Sequence, residues 1–585
     1  YFAINKFRNT DDKNRFIGNL SIKYNILNNL FVKGRVSHDY SNFNYTGIVP
    51  TGNLYFATGY YQNYLTGITE TNSELTINYN TKIIPDLAVN VLAGGNQRRN
   101  KADNTFLDGT GFAEPAFYDV SNVVSLATVK ALGRQRTNSV FGSVDFSYKN
   151  YLYLTATGRN DWFSTLSPKD NNIFYPSVGA SFVLSEAFTL PVWVNFAKLR
   201  ASWAQVGGAT PIPYALNMTY SLLPGGGHDK RPLQMITNWN GSNSGQLMAP
   251  NPNLKPLTST TYEIGVDARF LNGRLGVDVA VYDRKTTDDI VRASVSPATG
   301  FNFALLNVGE MRNKGIELLL TGVPVKTKDF SWEVSYNMAY NKNEVIKVTD
   351  QLDVIEADIS VNRYAFLHHR VGRPYSTIMA TTTRKDAKGN VIYAANGREL
   401  DDPNLVDMGT GVAPFTTGIT NTFNYKRFSL SVLIDGKFGG VVYSGTNLYG
   451  TRFGLTKITL PGRDGGLTVN GVDQSGNPFT KTLTPAELQG YYDNWKLISE
   501  KFVYSSDFVK LRQVIIGYNI PVQKISFLKI QSANVSLVGR NLLIIHKDAP
   551  NIDPESTFSN NNAQGFEMFG VPRTRSYGIN LTVKF

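Results

Sequence analysis

The sequence predicts an all-β chain that crosses a membrane as an antiparallel barrel. Three observations carry that prediction. Apolar and polar side chains alternate with a period of two along most of the 585 residues. Helical periodicity is scarce. Long connections take turns with short ones.

The clearest strand is the last. From Tyr577 to Phe585 the odd positions Tyr577, Ile579, Leu581, Val583 and Phe585 are apolar, and the even ones are small or polar. Strict alternation puts the two sets on opposite faces of a strand. The same pattern runs through Tyr262, Ile264, Val266 and Ala268 against Glu263, Gly265, Asp267 and Arg269. It recurs in Val140, Gly142, Val144 and Phe146, in Trp332, Val334, Tyr336 and Met338, and in Phe428, Leu430 and Val432. Strands are expected near 14–26, 29–42, 67–80, 86–100, 136–149, 151–163, 173–185, 197–207, 258–271, 274–288, 308–322, 330–345, 413–424, 427–437, 507–519, 531–545 and 572–585. The one helix expected is Pro485 to Trp495, with Thr484 placed to cap it.

Every second connection is short, around Asn28, Pro85, Asn150, Pro191, Asn272, Lys328, Tyr425 and Pro521. The others are mostly long: 43–66, 101–135, 208–257, 289–307, 346–412, 438–506 and 546–571. Short turns at one rim and long loops at the other characterise outer-membrane barrels. In hydrocarbon every backbone polar group must be paired, and a closed barrel does this with strands. One face of each strand then meets lipid, and Glu263, Asp267 and Arg269 face a wet lumen. The final aromatic, Phe585, resembles the end by which such barrels are handed to the outer-membrane insertion machinery.

Composition narrows the alternatives. Charged residues are 18%, below the roughly 25% of soluble proteins. No run of about 18 apolar residues is present, which excludes a helical membrane protein. The 12% aromatic content argues against disorder. With no cysteine, disulfide scaffolds, thiolate metal sites and cysteine catalysis are out. The net charge of +12 is spread along the chain and forms no nucleic-acid stripe. Walker, Gly-x-Ser-x-Gly and His-Glu-x-x-His motifs are missing, and Gly241-Ser-Asn-Ser-Gly has the wrong centre for a nucleophile elbow. The start at Tyr1 lacks the features of a signal peptide, so the N-terminus is expected to be incomplete.

Local motifs then point to a family. Asn150-Tyr-Leu-Tyr-Leu-Thr-Ala-Thr-Gly-Arg-Asn-Asp-Trp-Phe-Ser resembles a barrel hairpin of SusC/RagA-type TonB-dependent outer-membrane transporters. So do Phe174-Tyr-Pro-Ser-Val-Gly-Ala-Ser-Phe, Leu199-Arg-Ala-Ser-Trp-Ala-Gln-Val-Gly, Asn307-Val-Gly-Glu-Met-Arg-Asn-Lys-Gly-Ile-Glu and Tyr340-Asn-Lys-Asn-Glu-Val. The series ends with Asp507-Phe-Val-Lys-Leu-Arg-Gln, Gly539-Arg-Asn-Leu, Asp553-Pro-Glu and Pro572-Arg-Thr-Arg-Ser-Tyr-Gly. These lie in the family's order over almost the whole chain. One departure is Leu257 in Asn253-Leu-Lys-Pro-Leu, where the family usually has Glu.

The resemblance implies a barrel of about 22 strands filled by an N-terminal plug. About 17 strands are present, so residues 1–585 are expected to be the C-terminal part of that barrel, with plug and first strands missing. It also implies import of a large nutrient, oligosaccharide or peptide, energised by TonB through that missing part. A SusD-like surface lipoprotein would serve as lid, with a possible dimer of transporter–lid pairs, in the outer membrane of a Gram-negative bacterium. No covalent chemistry is implied. The alternative is a barrel of the same type recruited as a structural subunit of a larger outer-membrane assembly; a passive porin is a third reading.

Candidate site residues lie in the long loops. Trp239, Arg463, Asp464, Tyr491, Tyr492 and Trp495 combine flat aromatic faces with planar polar groups, as sugar binding requires. They are read either as substrate or lid contacts, or as the small cores of the loops themselves. Asp386, Asn390, Asp401 and Asp402 offer oxygen ligands for calcium, although Lys388 sits among them and a plain turn serves equally. His368 and His369 are adjacent on a strand and point to opposite faces, a poor metal pair. Tyr55, Phe56, Tyr60, Tyr61 and Tyr64 suit an interfacial girdle, a hairpin or a lid contact. Arg98, Arg99 and Lys101 sit at the end of an outward strand, placed to meet anionic lipopolysaccharide or simply solvated.

Overall fold

The computed structural model describes residues 5–209, 213, 214, 216, 219–222, 233–236, 248–294, 296–299, 301, 303–349, 352–359, 364–521, 530–557 and 564–584. Its main element is an 18-stranded sheet. Seventeen of those strands are long and fall on the seventeen expected windows. They are β1 (Arg8–Leu27), β2 (Leu30–Val49), β3 (Tyr60–Ile84), β4 (Leu87–Phe112), β5 (Val123–Tyr148), β6 (Leu152–Phe163), β7 (Asn172–Val183), β8 (Val194–Gly208), β9 (Leu257–Phe270), β10 (Leu275–Ser294), β11 (Phe303–Lys326), β12 (Phe330–Lys347), β13 (Phe415–Tyr425), β14 (Phe428–Phe438), β15 (Phe508–Ile520), β16 (Ser532–Lys547) and β17 (Ser576–Lys584). The eighteenth is Met248–Ala249, parallel to the start of β11. No helix among the described residues is long and apolar enough to cross a membrane.

The chain divides into two compact units. The first holds residues 1–181, 202–260 and 286–308. Within it β1 to β6 pair in sequence order, antiparallel throughout. Short turns close the hairpins: at Lys149-Asn150 both residues take positive φ, 46° and 60°, which matches the strand twist in tight hairpins. Alternation sorts the faces as expected. One face carries Leu75, Val140 and Val36, all exposed. The other carries a polar ladder in which Asn78 donates to Asn90, Asn90 to Asp145, and Thr155 to Asp145, at 2.8 to 3.1 Å.

Two expected loops are corrected here. Most of 43–66 and 101–135 is strand, because β3, β4 and β5 run to 25 or 26 residues. A membrane needs only about 9–11 residues of strand. Past that band both faces meet water, so Asn, Thr, Asp and Arg fill them and the apolar period fades while the ladder continues.

The second unit holds residues 182–201, 261–285 and 309–585. The strands β12, β13, β14, β15, β16 and β17 pair in that order, all antiparallel. Tyr262 and Ile264 are exposed on one face of β9. On the other, Glu263 and Asp267 meet Arg200 and Lys198 at 3.6 and 3.9 Å, so these acids have cross-strand partners on the polar face. Rings gather at the short-turn rim, where Trp193 stacks on Phe270, Trp332 on Phe423, and Phe428 leans on Tyr518. Such girdles mark barrel interfaces.

Within this unit the connections 346–412, 438–506 and 546–571 fold together into a head with its own core. A four-stranded sheet (Val354–Ile359, Ala365–Arg370, Thr377–Thr383, Asp401–Thr410) and a three-stranded one (Val441–Ser444, Val503–Ser505, Phe566–Glu567) are joined by α1 (Gly445–Arg452) and α2 (Pro485–Asn494). The expected helix is therefore present, and Thr484 and Glu487 form a capping box at its start. Leu367, Ile378, Tyr443, Leu448, Phe502 and Phe566 make the main core. Polar ties cross between the connections: Thr381 N–H donates to Ser499 Oγ, Thr383 N–H to Glu500, and Ser444 Oγ to Glu567.

Candidate functional site

Two constellations in the head bring buried aromatic and charged groups together. The first is an aromatic knot. Proline at the first turn and the capping box start α2, whose last turn delivers Tyr491 and Tyr492, with Trp495 following. Their rings meet edge to face at 5.1 to 5.7 Å, the geometry that aligns ring edges with π faces. Tyr491 and Tyr492 are 6% and 5% exposed. The Tyr491 hydroxyl donates to Glu399 at 2.7 Å and that of Tyr492 to the Ile458 carbonyl at 3.0 Å. Burial first, and then the charge and hydrogen bond of Glu399, push the Tyr491 hydroxyl far above the usual tyrosine range. Lys501 completes the knot, pairing with Glu399 at 2.8 Å and lying 4.1 Å above the Trp495 ring.

The rings of the tyrosine pair fill the interior of the head and their hydroxyls are engaged. Tyr491→Phe removes the donor to one Glu399 carboxylate oxygen and leaves Lys501 on the other. Thermal unfolding of the head should show a loss of about 1–3 kcal/mol.

The other candidates scatter. Arg463 is exposed and clasps its own loop, donating to the carbonyls of Gly454 and Thr459 and to the Thr459 hydroxyl. Asp464 beside it is exposed. Trp239 lies outside the described residues. Asp386 is engaged by its own turn, accepting from the backbone of Lys388 and Asn390 and from the Asn390 amide. Asp402 accepts from Asn404 in the same manner, and Asp401 pairs in the strand ladder opposite Thr383. Among the described residues no three His, Asp or Glu side chains converge as a metal site. His369 accepts from the Ser376 backbone, and burial lowers the pKa of both His368 and His369. Of the Tyr-rich stretch, Phe56 stacks on Tyr60 and Tyr64 on Tyr45 near the tip of the β2–β3 hairpin, while Tyr55 is 85% exposed.

The second constellation was not foreseen. Lys510 on β15 is 4% exposed, with Asp553 at 2.6 Å and Glu555 at 2.7 Å. Two residues on, Arg512 holds Asp435 of β14 with both Nε and Nη2, and reaches Glu555 at 2.9 Å. Arg573 approaches Glu555 at 3.8 Å. Burial alone would raise the Glu555 pKa; the hydrogen bonds and charges of Arg512 and Lys510 overcome that and bring it down to about 2. Buried charges are stable when so paired. Four of the motifs quoted above meet here: Asp507-Phe-Val-Lys-Leu-Arg, Gly539-Arg-Asn-Leu through Asn541, which Arg512 reaches at 3.4 Å, Asp553-Pro-Glu and Pro572-Arg. The signal was present in the charged residues of those motifs, whose partners are separated by about forty residues.

Comparison with known proteins decides the family. Residues 2–472 match the model described as "TonB dependent receptor-like, beta-barrel". The chain belongs to that family. The family is one of outer-membrane barrels, and within it the chain is similar to proteins of the SusC/RagA type. TonB-dependent receptor P26 of Formosa agariphila is 26% identical over 97% of the chain and 59% of its own length. TonB-dependent receptor SusC of Bacteroides thetaiotaomicron is 25% identical over 98% of the chain and 56% of its own length. The chain therefore spans a little over half the length of these relatives. Among solved structures, the RagAB peptide transporter superposes with a TM-score of 0.77 at 19% identity, over 99% of this chain and 62% of that one. That likeness establishes the fold of the SusC/RagA-type barrel here.

Proposed function

We propose that these residues form the barrel portion of an outer-membrane importer of large nutrients, oligosaccharide or peptide. The observation that carries the reading is the match of the whole chain to SusC and to the fold of the RagAB peptide transporter. A long-loop head with its own core supports it, since a rigid platform is what a surface lipoprotein of the SusD type would seat upon. The barrel binds, opens and releases; TonB supplies the work through a plug and contact segment in the longer polypeptide. Paired transporter–lid units are part of the same proposal. The chemistry asked of the barrel is recognition alone, with wet polar ladders lining the passage.

The test is genetic. Removing the TonB-contacting segment from the full-length protein should abolish growth on one glycan or peptide source and spare the others. Normal growth on every such source, with stable non-lipoprotein partners in native pull-downs, would favour the assembly-subunit reading instead.

A further inference from the structure

The apolar face of β1 to β6 carries a feature that nutrient import does not use. Above the apolar band, at the polar rows of β4 and β5, Arg99 sits directly opposite Arg136 and Lys101 opposite Arg134. Like charges facing each other across a ladder destabilise it. All four are exposed. Only Lys101 has a carboxylate partner among the described residues, Asp103 at 3.1 Å. Arg98, just before Arg99 in sequence, points to the polar face and is paired with Glu70. Arg99, which donates to Gln97 Oε1 at 2.6 Å, and Arg134 and Arg136 thus lie without an ion pair on the face that continues from the lipid-facing band.

Directly beneath lies a furrow of about 610 Å³ whose walls include Leu20, Ile22, Leu75, Val140 and Trp162. Its floor is open because Gly34 and Gly95 stand where neighbours carry side chains. A Cβ at Gly34 would meet nothing within 4 Å, and one at Gly95 only the Ser139 carbonyl at 3.6 Å. Neither glycine has a positive φ. Packing and backbone geometry leave room for a larger residue at both, so the gap is a property of the surface. The registers place Gly34, Leu75, Gly95 and Val140 in one row, Ser73, Gln97, Asn138 and Trp162 in the next, and Arg99 and Arg136 in the row after that.

We infer that this surface holds one anionic glycolipid of the outer leaflet. An acyl chain lies in the glycine-floored furrow and headgroup phosphate is gripped by Arg99, Lys101, Arg134 and Arg136. Apolar walls, a tryptophan at the polar boundary and cations one row higher reproduce the order tail, interface, phosphate. Arginine's planar fork suits phosphate oxygens. The phosphate also relieves the repulsion that the four cations impose on each other.

The test uses the full-length protein purified from outer membranes and counts bound phosphorylated glycolipid by native mass spectrometry. Replacing the arginines together (Arg99→Gln, Arg134→Gln, Arg136→Gln) should cut retention about tenfold or more at about 0.15 M salt. Filling the furrow (Gly34→Leu with Gly95→Leu) should also lower it. A loop control (Lys385→Gln, Lys388→Gln, Lys457→Gln) should not. Wild-type protein in vesicles should unfold at a higher temperature with phosphorylated glycolipid than with the same lipid after phosphatase treatment, which tests the idea without any variant. Equal retention by the charge variant, or no thermal difference between the two lipids, overturns the proposal. Displacement by millimolar inorganic phosphate, with the furrow variant unaffected, overturns it in favour of a free-anion site. Loss of a dimer instead of lipid overturns it in favour of a protein contact.

Discussion

Lys510→Met is expected to destabilise the long-loop head by about 3–5 kcal/mol, because it removes the buried ammonium shared by two carboxylates while keeping the volume of the side chain. Asp553 and Glu555 lie at 2.6 and 2.7 Å from the ammonium and are themselves 5% and 9% exposed. Arg512 still holds Glu555 in the variant, so Asp553 bears most of the loss. Limited proteolysis should report it as faster cutting within 548–557, with far-UV circular dichroism of the strands unchanged. Unaltered proteolysis would mean that the clamp contributes nothing to holding that segment. The pH dependence of the parent protein follows from the same group. Glu555 is depressed from its ordinary 4.5 to about 2. A depressed carboxylate stabilises the folded state fully above its unfolded value and loses that contribution as pH falls through the folded one. The 548–557 segment should therefore stay docked at pH 5, weaken below about pH 4.5, and release as pH nears 2.

Phe502→Ala should cost a similar amount, about 3–5 kcal/mol, through a cavity that the packed surroundings cannot close. Phe502 is 2% exposed and belongs to the cluster with Leu367, Ile378, Leu448 and Phe566. Trp495 packs against that cluster and against the tyrosine knot, so its emission reports both. Thermal unfolding followed by tryptophan fluorescence should shift downward for Phe502→Ala and much less for Phe502→Leu. Equal shifts for the two would place the loss elsewhere than in cavity formation.

The strands were legible where lipid enforces a difference between faces. Tyr577, Ile579 and Leu581 are exposed apolar residues that alternate with small or polar ones on β17, the period a strand shows when one of its faces meets hydrocarbon. Legibility stopped where water lies on both sides, as in the upper halves of β3, β4 and β5. The head was legible only in part. The helix Pro485–Asn494 declared itself by its cap, since capping is a local event. The core did not, because Leu367 and Phe566 stand two hundred residues apart and only folding brings them together. Tyr491, Tyr492 and Trp495 were marked as either contact or core; the two tyrosines are buried with engaged hydroxyls, and Trp495 is half-buried beside them. The charge clamp was hidden for the same reason as the core. Lys510 and Arg512 are visible as residues in a strand, while their value depends on carboxylates delivered by a distant loop.

The way the head is assembled sets an order of events during biogenesis. Its interior draws on three excursions of the chain, and the last of them brings Ala549, Ile552 and Phe566 against Val442 and Tyr443. Synthesis delivers that excursion last of the three. Until it arrives, the earlier two excursions hold an unfinished apolar surface. The closing segment thus acts as a seal, and a chain truncated before residue 548 should leave that apolar surface open to a hydrophobic dye even with most of its strands made.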